Sequence, residues 1–209
     1  MSRRLRVAVL ASGNGSNLQA LIDACRDGAP AKIALVLTNG EVGATARARA
    51  AGIATGPIDD PDDGGAILAQ LGAQSVELVV LAGYLKLVPA DVVEAYAGRM
   101  INIHPALLPS FGGPGMYGLR VHRAVLAAGS TVTGPTVHLV TTEYDRGPVL
   151  AQWPVPVAPD DTPESLRERV LAAEHQLLPA VVLAAARRGS PVRLVPAEGA
   201  FGRVELREA

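Results

Sequence analysis

Two short stretches combine residue types and spacings suited to chemistry. In Ile101-Asn102-Ile103-His104-Pro105 an amide and an imidazole are one residue apart. Side chains alternate along a strand, so Asn102 and His104 share one side while Ile101 and Ile103 share the other. Polar groups on a buried strand are costly unless they have partners or a task. Acyl transfer is a task that fits: the amide donates to a developing oxyanion, and the imidazole donates to it or moves a proton. The competing reading is that both side chains merely close the backbone of the loop opened by Pro105. Asp145, in Glu143-Tyr144-Asp145-Arg146-Gly147-Pro148, would orient an imidazole and favour its charged form. The same stretch is also ordinary turn chemistry.

The second stretch is Ser12-Gly13-Asn14-Gly15-Ser16-Asn17, which follows an apolar run and opens a helical pattern. Unpaired N–H groups at a helix N-terminus hold a phosphate without a basic side chain, and glycines let the backbone approach it. A capped tight turn with no ligand is the alternative. A dinucleotide site fits poorly. Leu18 stands where a third glycine is needed, and the next strand ends in Thr38-Asn39 without an acid for a ribose diol. A P-loop lysine is also missing.

The elements that must position these groups follow from hydrophobic patterning. Strands are expected at 5–11, 33–37, near 53, at 78–82 and at 100–103, and helices at 17–26, 42–51, 62–71, 89–97 and 120–128. The alternation predicts an α/β fold, a doubly wound, mainly parallel sheet. Residues 131–140 and 148–157 read as an antiparallel pair at one edge. Residues 162–187 read as a long helix that Pro179 should kink or interrupt, and 192–206 as a small hairpin. Ligands bind such sheets at the carboxyl ends of the strands, here just after Ala11, Ala82, Ile103 and Val140. A long Gly/Pro loop, expected to be mobile, follows Pro105.

The 209 residues suit one domain over 1–209, with an N-terminal half to about 100, a C-terminal half over 101–190 and a short tail. A net charge of -1 gives no bulk attraction to nucleic acid or anionic membrane. No run approaches the roughly 20 apolar residues of a membrane span. A single cysteine, Cys25, fits a reducing, cytoplasmic setting. Its place in the first helix, away from the strand ends, argues against a thiol nucleophile.

The ordered segments Gly-Asn-Gly-Ser-Asn-Leu-Gln, Leu-Ala-Gly-Tyr-Leu-Lys, Ile-Asn-Ile-His-Pro-Ala-Leu-Leu-Pro-Ser-Phe, Gly-Pro-Thr-Val-His, Tyr-Asp-Arg-Gly-Pro and Ala-Glu-His resemble the phosphoribosylglycinamide formyltransferase family of folate-dependent formyltransferases. The likeness runs from about Val7 to Pro179. The Asn-x-His-Pro motif is shared by the wider group; the Gly-Ser-Asn-Leu loop and the late Glu-His are particular to this branch. The resemblance implies a Rossmann-like formyltransferase fold. It implies transfer of a formyl group from 10-formyltetrahydrofolate to the amine of glycinamide ribonucleotide in purine synthesis, without a metal.

By the same resemblance Asn102, His104 and Asp145 are catalytic, with His104 protonated beside the oxyanion and His138 in support. Gly15, Ser16, Asn17 and Glu174 bind the nucleotide. Leu85, Lys86, Leu87 and Val88 line the folate pocket on one side. Val140, Thr141, Thr142, Glu143, Tyr144 and Asp145 line it on the other, and Asn102 borders it. The chain departs from the pattern at Asp62-Asp63-Gly64-Gly65-Ala66, where relatives often carry an Arg for the folate. Lys86 stands where Arg is common, and the 112–118 loop is longer than in some relatives. Monomer and homodimer are both compatible with the sequence. A formyltetrahydrofolate hydrolase is one alternative, although that group carries an added N-terminal domain. A non-catalytic phosphate-ligand module is the other. A methionyl-tRNA formyltransferase would need an added nucleic-acid-binding domain and a basic surface.

Overall fold

The computed structural model describes residues 3–188; the hairpin expected at 192–206 lies outside the described residues. Strands β1 (Leu5–Ala11), β2 (Ala31–Thr38), β3 (Ala54–Pro57), β4 (Leu78–Leu81) and β5 (Met100–His104) form a parallel sheet in the order β3-β2-β1-β4-β5. The later strands are β6 (Val132–Thr133), β7 (Thr136–Leu139), β8 (Val149–Gln152) and β9 (Val155–Pro156). β7 and β8 extend the large sheet antiparallel beside β5, while β6 and β9 pair separately. The helices are α1 (Ser16–Ala24), α2 (Gly43–Ala50), α3 (Gly64–Ala73), α4 (Ala90–Ala95), α5 (Leu119–Ala127) and α6 (Pro163–Arg187).

Both sheet faces are buried, which explains the near-continuous apolar strands. Val7, Val9 and Ala11 of β1 pack with Leu18 and Leu21 of α1 and with Leu178 and Val182 of α6. The alternate residues Ala8 and Leu10 pack on the other face with Ile67 and Leu71 of α3 and Val92 of α4. Each fully buried Val or Leu contributes about 1.5–3 kcal/mol. The loops after β1 and β4 meet at the carboxyl edge: the Ser12 N–H donates to the Gly83 carbonyl at 3.1 Å, and the Leu85 N–H to Ser12 Oγ at 3.1 Å.

Two expectations change. The long antiparallel pair is broken on both strands, after Thr133 and after Gln152. Pro135 and Pro154 have no N–H for a continuous ladder. The Trp153 carbonyl also comes so close to Gly134 that a Cβ there would lie 1.9 Å away. Second, α6 runs unbroken for 25 residues with Pro179 inside it. Its start is strongly specified: Thr162 Oγ1 accepts from the Ser165 N–H, Ser165 Oγ accepts from the Thr162 N–H, and Pro163 opens the first turn. By length and composition α6 could cross a bilayer, contrary to the expectation that no segment approaches a span. Its Leu166, Val170, Leu177, Leu178, Val181 and Val182 are instead buried in the protein core.

Gly147, in the turn between β7 and β8, is a sterically constrained position of the fold. A Cβ there would sit 1.7 Å from the Leu139 carbonyl oxygen. Gly147→Ala should therefore lower the unfolding free energy by about 1–3 kcal/mol, the usual cost of overpacking. Urea denaturation of the variant beside the wild type checks this; equal midpoints would contradict it.

Candidate active site

β5 and β7 pair so that Asn102 faces His138 and His104 faces Thr136. Asn102 and His104 therefore share a face, as strand alternation requires, and His138 joins them from the neighbouring strand. His138 Nδ1 lies 2.8 Å from the Leu139 carbonyl, so Nδ1 carries the hydrogen. Nε2 lies 3.0 Å from Asn102 Nδ2 and 3.5 Å from Asp145 Oδ1. Asn102 Nδ2 also donates to Asp145 Oδ1 at 3.3 Å.

Asp145 arrives from the β7–β8 turn with a left-handed backbone, φ 54°, a conformation Asp adopts more readily than most residues. Its Oδ2 accepts from the Gly113 N–H at 2.9 Å and lies 3.4 Å from His104 Nδ1. Burial works to raise the Asp145 pKa. The neighbouring His138 and His104 rings and the Gly113 N–H outweigh it and hold the carboxyl below its ordinary value.

Burial is the largest influence on His104 and lowers its pKa; Asp145 and the Phe111 carbonyl oppose this without reversing it. Its Nε2 donates to the Phe111 carbonyl at 2.8 Å, and its Nδ1 faces Asp145 Oδ2. A proton at Nδ1 aims donors at both neighbours.

The loop after Pro105 is hydrogen-bonded at its start. Thr136 Oγ1 donates to the Ala106 carbonyl at 2.6 Å and accepts from the Leu108 N–H at 3.0 Å. Gln152 Nε2 donates to the Leu108 carbonyl at 2.9 Å. These bonds fix the segment that delivers the Phe111 carbonyl and the Gly113 N–H.

A cavity of about 500 Å³ opens beside the trio. Asn102, His104, Asp145, His138, Asn17 and Glu174 all line it. So do Leu85, Lys86, Leu87, Val88, Val140, Thr141, Glu143 and Tyr144; Thr142 is absent from the lining. Gly15 and Ser16 also stay outside. Ser16 borders a separate shallow depression with Arg47 and His175. Gly15 is required for its φ of 76° and its packing on Ala44, which a Cβ would approach to 2.7 Å. Its close approach in the fold is to α2. The 62–66 segment serves α3: Asp63 Oδ1 accepts from the Ala66 N–H at 2.9 Å. Among the described residues no group of three or more His, Cys, Asp or Glu is arranged to hold a metal.

Sequence reasoning missed His122 of α5 and Arg167 and Leu171 of α6, all in the lining. Arg167, Leu171 and Glu174 follow a four-then-three spacing that places them on one helix face, and that was the available signal. His122 offered none, since it reads as one more residue on the buried side of α5.

Glu174 is 7% exposed and accepts from Asn17 Nδ2 at 2.5 Å. Burial raises its pKa to about 7, against smaller opposing effects from Asn17 and Arg167. The folded state therefore holds this proton more tightly than the unfolded chain. The associated stability is complete below pH 4.5 and is lost as pH rises through about 7. A displacement of that size is worth about 3 kcal/mol. Glu174→Gln should thus gain stability relative to wild type across this window, reaching about 3 kcal/mol above it. Urea melts of both proteins at a series of pH values check this; a constant difference would contradict it.

Residues 5–182 match the formyl transferase family. The chain is 44% identical over 192 residues to the chloroplastic phosphoribosylglycinamide formyltransferase of Arabidopsis thaliana, covering 86% of this chain and 65% of that protein. It thus spans about two thirds of the plant relative's length. It is 37% identical to the phosphoribosylglycinamide formyltransferase of Haemophilus influenzae, covering 85% of each chain. The crystal structure of glycinamide ribonucleotide transformylase 1 from Symbiobacterium toebii superposes with a TM-score of 0.84 at 39% identity, covering 98% of this chain and 95% of that one. The sheet order, the Asn-x-His strand end and these likenesses agree: the chain belongs to the formyl transferase family, in its phosphoribosylglycinamide formyltransferase branch.

Proposed function

We propose that the protein transfers the formyl group of 10-formyltetrahydrofolate to the primary amine of glycinamide ribonucleotide, as a step of purine synthesis. The observation that carries this reading is the convergence of Asn102, His104 and Asp145 on one cavity wall. The cavity's character supports it. Leu85 and Leu87 are 47% and 42% exposed, unusual for leucines, and with Val88 and Val140 they form an apolar slot suited to a flat pterin. Asn17 and Glu174, also in the lining, are polar and suit a nucleotide. Cys25, buried with its thiol pKa pushed up to about 11, is no nucleophile and fits a reducing compartment such as the cytoplasm.

The amine nitrogen attacks the formyl carbon and gives a tetrahedral intermediate with negative charge on oxygen. Asn102 stabilises that oxygen by redirecting the N–H of its longer bond, the one to Asp145. The attacking nitrogen sheds a proton to His104, whose imidazolium Asp145 then stabilises. That proton ends on the folate nitrogen as its bond to the formyl carbon breaks. No covalent enzyme intermediate is formed.

The hydrolase alternative uses water in place of the amine. A paired assay with 10-formyltetrahydrofolate, with and without glycinamide ribonucleotide, separates the two by following the deformylated folate. Release that requires the nucleotide is expected; equal release without it would replace the transferase reading with the hydrolase. In the same assay Asn102→Ala should cost on the order of 3 kcal/mol in the barrier. Asp145→Asn should lower kcat more than it raises the KM for the folate. Near-normal rates in both variants would remove the trio from the chemistry.

A further inference from the structure

The catalytic trio leaves one charged corner of the cavity unused. Five residues of the lining are ordinarily charged at neutral pH or close to it: Lys86 and Arg167 against Glu143, Asp145 and Glu174. Lys86 lies in the loop after β4, within the apolar slot. Arg167 lies on α6, one turn before Leu171 and two before Glu174. Among the described residues it has no carboxylate within ion-pair distance. Beside it His122 is 2% exposed, and its Nδ1 is buried without a partner. Asn17, in the first turn of α1, is likewise buried, and its Oδ1 has no partner. Buried polar atoms left unpaired cost free energy; two in one cavity wall mark a place built for a polar ligand.

We propose that Arg167 is the cationic anchor for the phosphate monoester of the nucleotide substrate, holding it against the first turn of α1, with His122 hydrogen-bonding the same molecule. The assignment rests on the acceptor reading above. A phosphate dianion entering a wall that already contains Glu174 needs a compensating charge, and helix N–H groups supply only partial charge. A guanidinium matches two phosphate oxygens at once. His122 contributes a hydrogen bond rather than charge, because burial and then the Arg167 charge push its pKa down to about 4.

Steady-state kinetics and direct binding test this together. Arg167→Gln should raise the KM for glycinamide ribonucleotide by about tenfold or more, the usual worth of a hydrogen bond to a charged group. The KM for 10-formyltetrahydrofolate should be unmoved. Arg167→Lys should recover part of the loss, and added salt should weaken nucleotide binding more in wild type than in Arg167→Gln. Arg123→Gln, an exposed α5 position outside the cavity lining, is the charge control. An unchanged nucleotide KM in Arg167→Gln, or an equal rise in both KM values, overturns the anchor while leaving the transferase standing. Calorimetric titration with ribose 5-phosphate supplies a readout free of turnover. If wild type binds it and Arg167→Gln does not, the anchor holds even should the transferase assay fail; equal binding by both proteins overturns it.

Discussion

The site depends on keeping one ionised carboxylate at the sheet edge. Asp145 sits among His104, Asn102 and the Gly113 N–H, and a buried anion is tolerable only when so paired. Its neighbours are organised by that need. Gly147 lets the turn pass against the Leu139 carbonyl, which brings Asp145 over the strand end. Thr136 and Gln152 hold the start of the loop that supplies Gly113. His138 Nε2 and Asp145 Oδ1 both lie within hydrogen-bond reach of the Asn102 amide nitrogen.

Burial and charge oppose each other throughout this wall, and which prevails differs by residue. At Asp145 the partners prevail and the carboxyl stays ionised. At His104 burial prevails and lowers the imidazole's pKa although a carboxylate lies 3.4 Å away. At Glu174 one short hydrogen bond and a more distant guanidinium are too little, and the group titrates near neutrality. The result is a set of titratable groups displaced in different directions, a recurring property of catalytic sites. The apolar sheet, with its two buried faces, supplies the stability that these groups subtract from.

Much of the architecture was legible beforehand. The five parallel strands follow from short apolar runs bounded by glycine-rich turns, and α6 from its capping box and first-turn proline. The breaks around Pro135 and Pro154 were legible in principle, since neither residue has an N–H to donate. Pro179 does not interrupt α6: a proline within a long helix sacrifices one bond, and here the burial of its neighbours Leu178, Val181 and Val182 outweighs that loss. The carboxylate near His104 was visible in the chain and the depth of its burial was not.

By itself the sequence determined that Asn102 and His104 share a face, because strand side chains alternate whatever surrounds them. It determined the parallel sheet, through apolar runs that must be covered on both faces, and its motifs placed it beside the formyltransferases. Only the tertiary structure decided which distant groups meet: Asp145 with Asn102 across 43 residues, and Asn17 with Glu174 across 157. It also decided that Gly15 faces α2, that Ser16 lies outside the cavity and that His122 and Arg167 lie within it. Local spacing constrains a residue's direction over a turn or a strand. Proximity across the chain is set by sheet order and loop path, which no local pattern encodes.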